Sequence, residues 1–313
     1  MSYIFNRLLS IALTLFLISV ITFAVTTILP GDVATMIMGT QSNPQALAGL
    51  RKTLGLNDPL VVQYGRWIAG MATGDWGNSL VFKVPIADLL VQKVKASSLI
   101  VVMSMGIALI CAVPLGVWAA VHRDRWQDGA SSSAALLGVS LPDFFWGIMM
   151  ILLFARTLGW FPSSGFADPS VNLGQALAHA FLPSLALGLG LMAQLTRMTR
   201  ATMIGILGQE FIRVGRAKGL KERTIVWHYA LANAIGPVIT VAGLQVGYLF
   251  GSIIVIETLF NYTGMGWLTY QALLNRDIPL IQATVFVIAA VVMLANLAVD
   301  LLYLYFDPRI RLA

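Results

Sequence analysis

The chain has 313 residues, of which 58% are hydrophobic and only 11% charged, with 20 Lys and Arg against 14 Asp and Glu. Ordinary soluble domains carry roughly 25% charged residues, and a chain with less than half that supply would expose large apolar patches to water. The composition excludes a disordered tail, a nucleic-acid-binding domain and most cytosolic enzymes; the solvent for this chain is a bilayer.

A membrane-crossing helix needs about 20 mostly apolar residues. The first uncharged run, 8–29, follows Arg7. It is long for the apolar region of a signal peptide, and Thr27, Ile28 and Leu29 before Pro30 offer no small-x-small cleavage site, so a retained first helix is expected. Residues 30–95 contain Pro59, several glycines and two amphipathic stretches, 60–70 and 86–94, expected to form short helices lying on the outer face. Tyr64, Trp67 and Trp76 suit a headgroup boundary. A lid packed on the helix bundle and a ligand site are the two readings of this segment.

Five further spans are expected at 96–121, 129–155, 178–196, 234–256 and 278–299. The third carries Pro142 and Asp143 at its middle. Six spans place both termini on one side. With the termini inside, twelve of the 20 basic residues fall in inside segments: Arg7, Arg123, Arg125, seven between 197 and 223, Arg309 and Arg311. Short outside loops add Arg156 and Arg276, and residues 30–95 hold the other six, a segment long enough to translocate with little regard to charge. Both termini are therefore expected in the cytoplasm.

Few groups offer chemistry of their own. The single cysteine, Cys111, excludes an internal disulfide and any cysteine cluster, and reads as a buried, inert thiol in an apolar run. His122, His179 and His228 are widely spaced. No metal ligand set and no catalytic dyad or triad is expected.

The chain leaves the apolar regime between 197 and 223. Here Arg197, Arg200, Gln209, Glu210, Arg213, Arg216, Lys218, Lys221, Glu222 and Arg223 alternate with Phe211, Ile212, Val214 and Leu220 and with the small residues Gly215, Ala217 and Gly219. The pattern predicts a short helix over about 209–218 and a turn at Gly219, where left-handed backbone is cheap for glycine. The residues alone leave three readings open: a loop resting on anionic lipid, an orientation signal, or a docking element.

The stretch EFIRVGRAKGLKER at 210–223, followed by HYALANAIGP at 228–237, resembles the EAA loop of bacterial ABC importer permeases, and more closely the dipeptide, oligopeptide and nickel branch of those binding-protein-dependent systems. Other segments resemble that branch in order and spacing: LPGD at 29–32, LGLNDPL at 54–60, Gln63 with Tyr64, Gly74 with Asp75, SLPDF at 140–144, ETLF at 257–260, GMG at 264–266, RDIP at 276–279 and DPRIR at 307–311. Arg213, Val214 and Gly215 stand where the wider superfamily has Glu-Ala-Ala, and Ala232 where its proline is usual.

The resemblance implies an all-α, polytopic type I importer permease fold with six transmembrane helices, an extended outer segment after the first, and a bacterial inner-membrane location. It implies three parts: 1–95, a first helix with a periplasmic segment; 96–306, a five-helix core with a cytoplasmic coupling loop at about 197–232; and 307–313, a cytoplasmic tail. The implied partners are a second homologous permease subunit, two ABC ATPase subunits, a periplasmic or lipid-anchored substrate-binding protein and membrane lipid, with no nucleic acid. The chain lacks a G-x-x-x-x-G-K-[ST] phosphate loop, so ATP and magnesium belong to the ATPase partners and this chain binds no cofactor.

Coupling to the ATPases is implied for Glu210, Phe211, Arg213, Val214, Gly215, Arg216, Ala217, Lys218, Gly219 and Leu220. The pathway or its gate is expected to involve Asp143, Asn233, Gln245, Ser252, Glu257 and Asn261, since ionisable and polar side chains within a membrane are costly to keep. Gly243, Gly247 and Gly251, at every fourth position, also suit close helix packing. Asp300 is expected to pair with Arg309 or Arg123. The substrate is expected to be a di- or oligopeptide, with glutathione or a nickel chelate as alternatives. A self-sufficient secondary carrier or channel is the competing class; six spans without an inverted repeat argue against it.

Overall fold

The computed structural model describes residues 2–28, 33–38 and 43–306. The sequence motif at 29–32, the tail 307–313 and hence Arg309 and Arg311 lie outside the described residues. Among the described residues the structure is helical, apart from one isolated antiparallel bridge between Asn78 and Pro85. Five helices are long and apolar enough to cross a membrane, or six if one sharply bent pair is counted as a single span.

The chain divides into two compact units. One comprises Met1–Ser97 and Thr263–Met293; the other comprises Ser98–Tyr262 and Leu294–Ala313. Residues 263–293, read from the sequence as part of the helical core, thus cluster with the N-terminal segment.

In the first unit, helix α1 (Ser2–Ile28) is followed by three short helices, α2 (Val33–Met38), α3 (Pro44–Thr53) and α4 (Leu60–Thr73). The aromatic residues of α4 are turned onto α1. Phe23 lies 5.4 Å from Tyr64 and 6.0 Å from Trp67 between ring centroids, and the hydroxyls of Ser19 and Tyr64 are 2.8 Å apart. Trp76 packs on Phe286 at 6.3 Å. These aromatic side chains thus pack on helices of the first unit.

The amphipathic stretch 86–94 is not a separate surface helix. It forms the first turns of α5 (Ile86–Val121), because nothing between Ile86 and Pro114 interrupts the backbone hydrogen bonds, and Ile86 and Leu90 are buried against Met265, Leu268 and Leu280. Those partners belong to α12 (Met265–Leu274) and α13 (Ile278–Phe306). Asp277 caps α13: its carboxylate accepts from the backbone N–H of Leu280 at 3.3 Å, as an N-cap aspartate does. The same carboxylate accepts from the Ser79 hydroxyl at 2.6 Å and the Val81 N–H at 3.1 Å, so one buried acid ties the loop before α5 to the start of α13.

In the second unit the predicted third span is broken. Helix α6 (Trp126–Ser140) ends where Leu141 turns extended, and α7 (Asp143–Met150) starts after Pro142, with a bend of 102° between them. A proline is tolerated at a helix start but pushes its predecessor out of helical geometry, so Pro142 acts as a break where the sequence reading placed it within one span. Helix α7 continues into a π-helical turn, Ile151–Thr157.

Helix α8 (Leu173–Leu207) runs eleven residues past the expected end at Thr196, carrying Arg197 and Arg200 within it. Arg200 is there because it forms a two-pronged ion pair with the buried Asp128 of α6, one prong measuring 2.6 Å. Helices α5 and α8 touch at backbone distance: a side chain at Gly116 would place its Cβ 2.8 Å from the carbonyl oxygen of Thr196. Cys111 is exposed on α5 rather than buried: Ala108 and Ala112 turn inward, and Cys111 stands about 80° round the helix from their midline. Of the partners expected for Asp300, Arg123 pairs with Asp124 at 3.4 Å.

Candidate functional site

Two features of the second unit stand apart from ordinary packing. The first is the short helix α9 (Glu210–Ala217), which follows α8 after Gln209 in extended geometry. Its end is a Schellman motif: the Gly219 N–H reaches the Arg216 carbonyl at 2.9 Å and the Leu220 N–H reaches the Gly215 carbonyl at 3.2 Å. Gly219 has φ +79°, which the motif demands and glycine adopts without steric cost. A side chain at Gly215 would meet Leu220 Cδ1 at 3.6 Å, so Leu220 folds back over the helix end.

One residue anchors α9. Ile212 is buried among Val117, Met203, Ile225 and Val226. Arg216 donates to Glu222 at 2.6 Å and braces the far side. The remaining apolar residues face outward, with Phe211 40% and Val214 51% exposed beside exposed Glu210, Arg213, Ala217 and Lys218. One buried isoleucine thus seats a helix that presents a phenylalanine and a valine to solvent between charges. Behind it lies a cavity of about 700 Å³, lined by Trp118, Val121, Ile204, Leu207, Arg223 and Trp227.

The chain after α9 passes through α10 (Glu222–Thr224) and a second π-helical turn, Ile225–Ala230, into α11 (Leu231–Leu259). Ile225, Val226 and Ala230 of this turn are buried against the same cluster that holds Ile212.

The second feature is a polar cavity of about 380 Å³ at the break between α6 and α7. Asp143, at the first position of α7, is half-buried and accepts from the Tyr248 hydroxyl at 3.1 Å. Gly190 on α8 makes room for this carboxylate, because a Cβ there would stand 3.3 Å from Asp143 Oδ1. Ser252, one turn beyond Tyr248, faces the same carboxylate. Gln245 of α11 donates from its side-chain amide to that of Gln194 on α8, and Arg197 completes the lining.

Of the six residues expected along a pathway, the fold brings Asp143, Gln245 and Ser252 together. Asn233 lies apart, its side chain donating to the Tyr229 carbonyl at 2.7 Å. Glu257 is fully buried, and its backbone carbonyl accepts from the Tyr262 N–H at 2.8 Å. Burial, with the nearby Glu257 charge, pushes the Tyr262 phenol well above its ordinary range. Asn261 is exposed in left-handed geometry at φ 46°. Gln194, Tyr248 and Arg197 were not singled out as pathway residues. Gln194 lies at the end of the fourth expected span and Arg197 just beyond it, and only their spacing on one helix face carries a signal. Among the described residues no group of three or more His, Cys, Asp or Glu could hold a metal ion.

Long apolar helices, an outward-facing short helix and a polar cavity inside the apolar region define a membrane transport permease. The comparisons give the family. Residues 112–312 match the binding-protein-dependent transport system inner membrane component family, and residues 1–83 match the N-terminal region of membrane components of such systems. The chain belongs to this family, and is a transport subunit rather than an enzyme.

It is 38% identical to the dipeptide transport system permease protein DppB of Alkalihalophilus pseudofirmus, with 99% of each chain covered. It is also 38% identical to the glutathione transport system permease protein GsiC of Escherichia coli K12, again over 99% of each. Among solved structures, a chain of the inward-facing MetNI methionine ABC transporter aligns with 70% of this chain and 96% of its own, at 20% identity and a TM-score of 0.58, which shows a shared fold.

Proposed function

We propose that this chain is one of two permease subunits of an ATP-driven importer for short peptides in a bacterial inner membrane, with six spans and both termini in the cytoplasm. The bent pair α6 and α7 supplies the third span, and the twelve basic residues of the inside segments set the orientation. A homologous permease subunit forms the other half of the pathway, an external binding protein delivers the peptide, and two ATPase subunits hold ATP and magnesium.

The observation that carries this reading is α9. Phe211 and Val214 are exposed on a helix that one buried isoleucine attaches to the ends of α5, α8 and α11, so force applied to α9 reaches the spans directly. The cavity behind it leaves room for the helix to shift. Closure of the ATPase pair moves α9 and biases the bundle between outward- and inward-open states; the bias equals the difference in affinity for the two states. Names of relatives support the peptide assignment, since a dipeptide permease and a permease for the tripeptide glutathione are equally similar to this chain.

The deciding experiment combines purification and uptake. The chain is expected to co-purify with an ATPase, and uptake of labelled dipeptide to survive an uncoupler but stop on ATP depletion. Uptake that follows the proton gradient and ignores ATP would assign the chain to the secondary carriers. The Gly219→Pro variant is expected to assemble but to lose uptake at least tenfold, because proline fixes φ near −65° where this turn needs +79°.

A further inference from the structure

The polar cavity at the α6–α7 break holds two opposite charges that do not pair with each other. Asp143 accepts a hydrogen bond from Tyr248, but among the described residues neither Asp143 nor Arg197 makes an ion pair. Both line the same space of about 380 Å³. Asp143 is half-buried and Arg197 exposed; neither charge is answered by the other, and both remain open to a ligand. A ligand carrying an ammonium at one end and a carboxylate at the other would complete both.

The spacing sets the length of that ligand. Asp143 sits level with Gly190 on α8, and Arg197 lies seven residues further along the same helix. At 1.5 Å per residue this is about 10 Å along the axis. An extended peptide spans about 3.3–3.6 Å per residue, so two or three residues bridge the gap once the arginine side chain bends. Midway, the bonded amides of Gln194 and Gln245 offer the donors and acceptors that a peptide group needs. The volume falls at the lower end of the about 300–1,000 Å³ usual for small-molecule sites.

We propose that this cavity is a station for a zwitterionic di- or tripeptide, with Asp143 receiving the α-ammonium, Arg197 the terminal carboxylate, and Gln194 with Gln245 the peptide group between them. This rests on the peptide reading above and adds to it a site within the membrane chain that selects free termini, separate from selection by the binding protein. Tyr248 and Ser252 position Asp143, and Gly190 gives it space.

The test uses the complete transporter with its cognate binding protein in proteoliposomes. Labelled Ala-Ala, its N-acetyl form and its C-terminal amide are compared at concentrations that saturate the binding protein, whose affinity for each is measured by calorimetry. Uptake is expressed per assembled complex. Wild type is expected to favour free Ala-Ala over both blocked forms. Asp143→Asn should lower uptake of Ala-Ala and the amide at least tenfold and erase the preference over the acetyl form. Arg197→Gln should erase the preference over the amide, and Asp143→Glu should restore most of the ammonium preference.

Equal slowing of all three peptides by Asp143→Asn would reduce Asp143 to a structural role and overturn the station, as would wild-type uptake and preferences in both variants. In either case peptide uptake by wild type would leave the functional reading standing. A wild-type transporter that takes up no peptide at all would overturn both.

Discussion

Asp277 and Asp143 both stand at helix starts, yet their surroundings are opposite. Asp277 is fully buried and takes three hydrogen bonds, from a hydroxyl and two backbone N–H groups, within its own unit. Asp143 is half-buried, meets the hydroxyls of Tyr248 and Ser252, and opens onto a cavity. In an apolar medium a carboxylate with both oxygens answered from backbone and side chain belongs to the fold, whereas one beside empty space is available to a ligand. Asp128 sides with Asp277: it is buried and met by the guanidinium of Arg200.

The contrast can be broken by substitution, and the largest effect is expected at Asp277. Asp277→Ala strands the Ser79 hydroxyl and two backbone N–H groups, each worth about 1–3 kcal/mol when buried without a partner, so a loss above about 3 kcal/mol is expected. Thermal unfolding of the purified complex measures it, and an unchanged transition would erase the distinction. Arg200→Gln comes next, because it leaves the Asp128 charge uncompensated. Breaking a buried pair costs about 3–5 kcal/mol, and since Arg200 keeps 30% of its side chain exposed, about 2 kcal/mol is expected.

Asp143→Leu should be far milder for the fold. It removes the contacts with two hydroxyls, Tyr248 and Ser252, and a partly desolvated charge together, so the melting transition should move by less than about 1 kcal/mol while peptide uptake falls. A loss as large as that of Asp277→Ala would make Asp143 a structural acid. The smallest effect is expected for Gly190→Ala. Its helix-propensity gain of about 1 kcal/mol offsets the crowding of Asp143 at 3.3 Å, leaving stability near that of wild type, with uptake down a few-fold in a transport assay.

Hydropathy located the long helices, because crossing a bilayer requires apolar runs whatever the fold. It misplaced their ends. Asp88, Lys93 and Lys95 looked like the boundary of a surface segment, yet α5 runs through them without a break. Arg197 and Arg200 looked like a loop, but α8 continues because Arg200 finds Asp128, 72 residues away in the chain. A partner at that distance leaves no local mark.

Helix α9 and the turn after it were legible almost residue for residue, since their charges, small residues and Gly219 are local signals. The cavity was legible only in part. Polar residues on α11 could be picked out one by one, but their assembly with α8 and α7 joins positions 51 and 105 residues apart. Asn233 shows the converse: polar within an apolar run, it bonds to the carbonyl of Tyr229 on the turn before it.

The wide turn at Ile225–Ala230 carries Ile225 and Val226, which hold Ile212 of α9, and leads into α11. In a regular α-helix each residue advances the azimuth by roughly 100°, and a π turn accommodates an extra residue without opening the hydrogen-bond ladder. Deleting one residue between 225 and 230 would let plain α geometry close again. It would also turn Ile225 and Val226 by about that angle relative to α11, disturbing the seat of Ile212 while α8 still tethers the other end of α9. The extra residue thus works as a compass setting for the seat of α9 on α11.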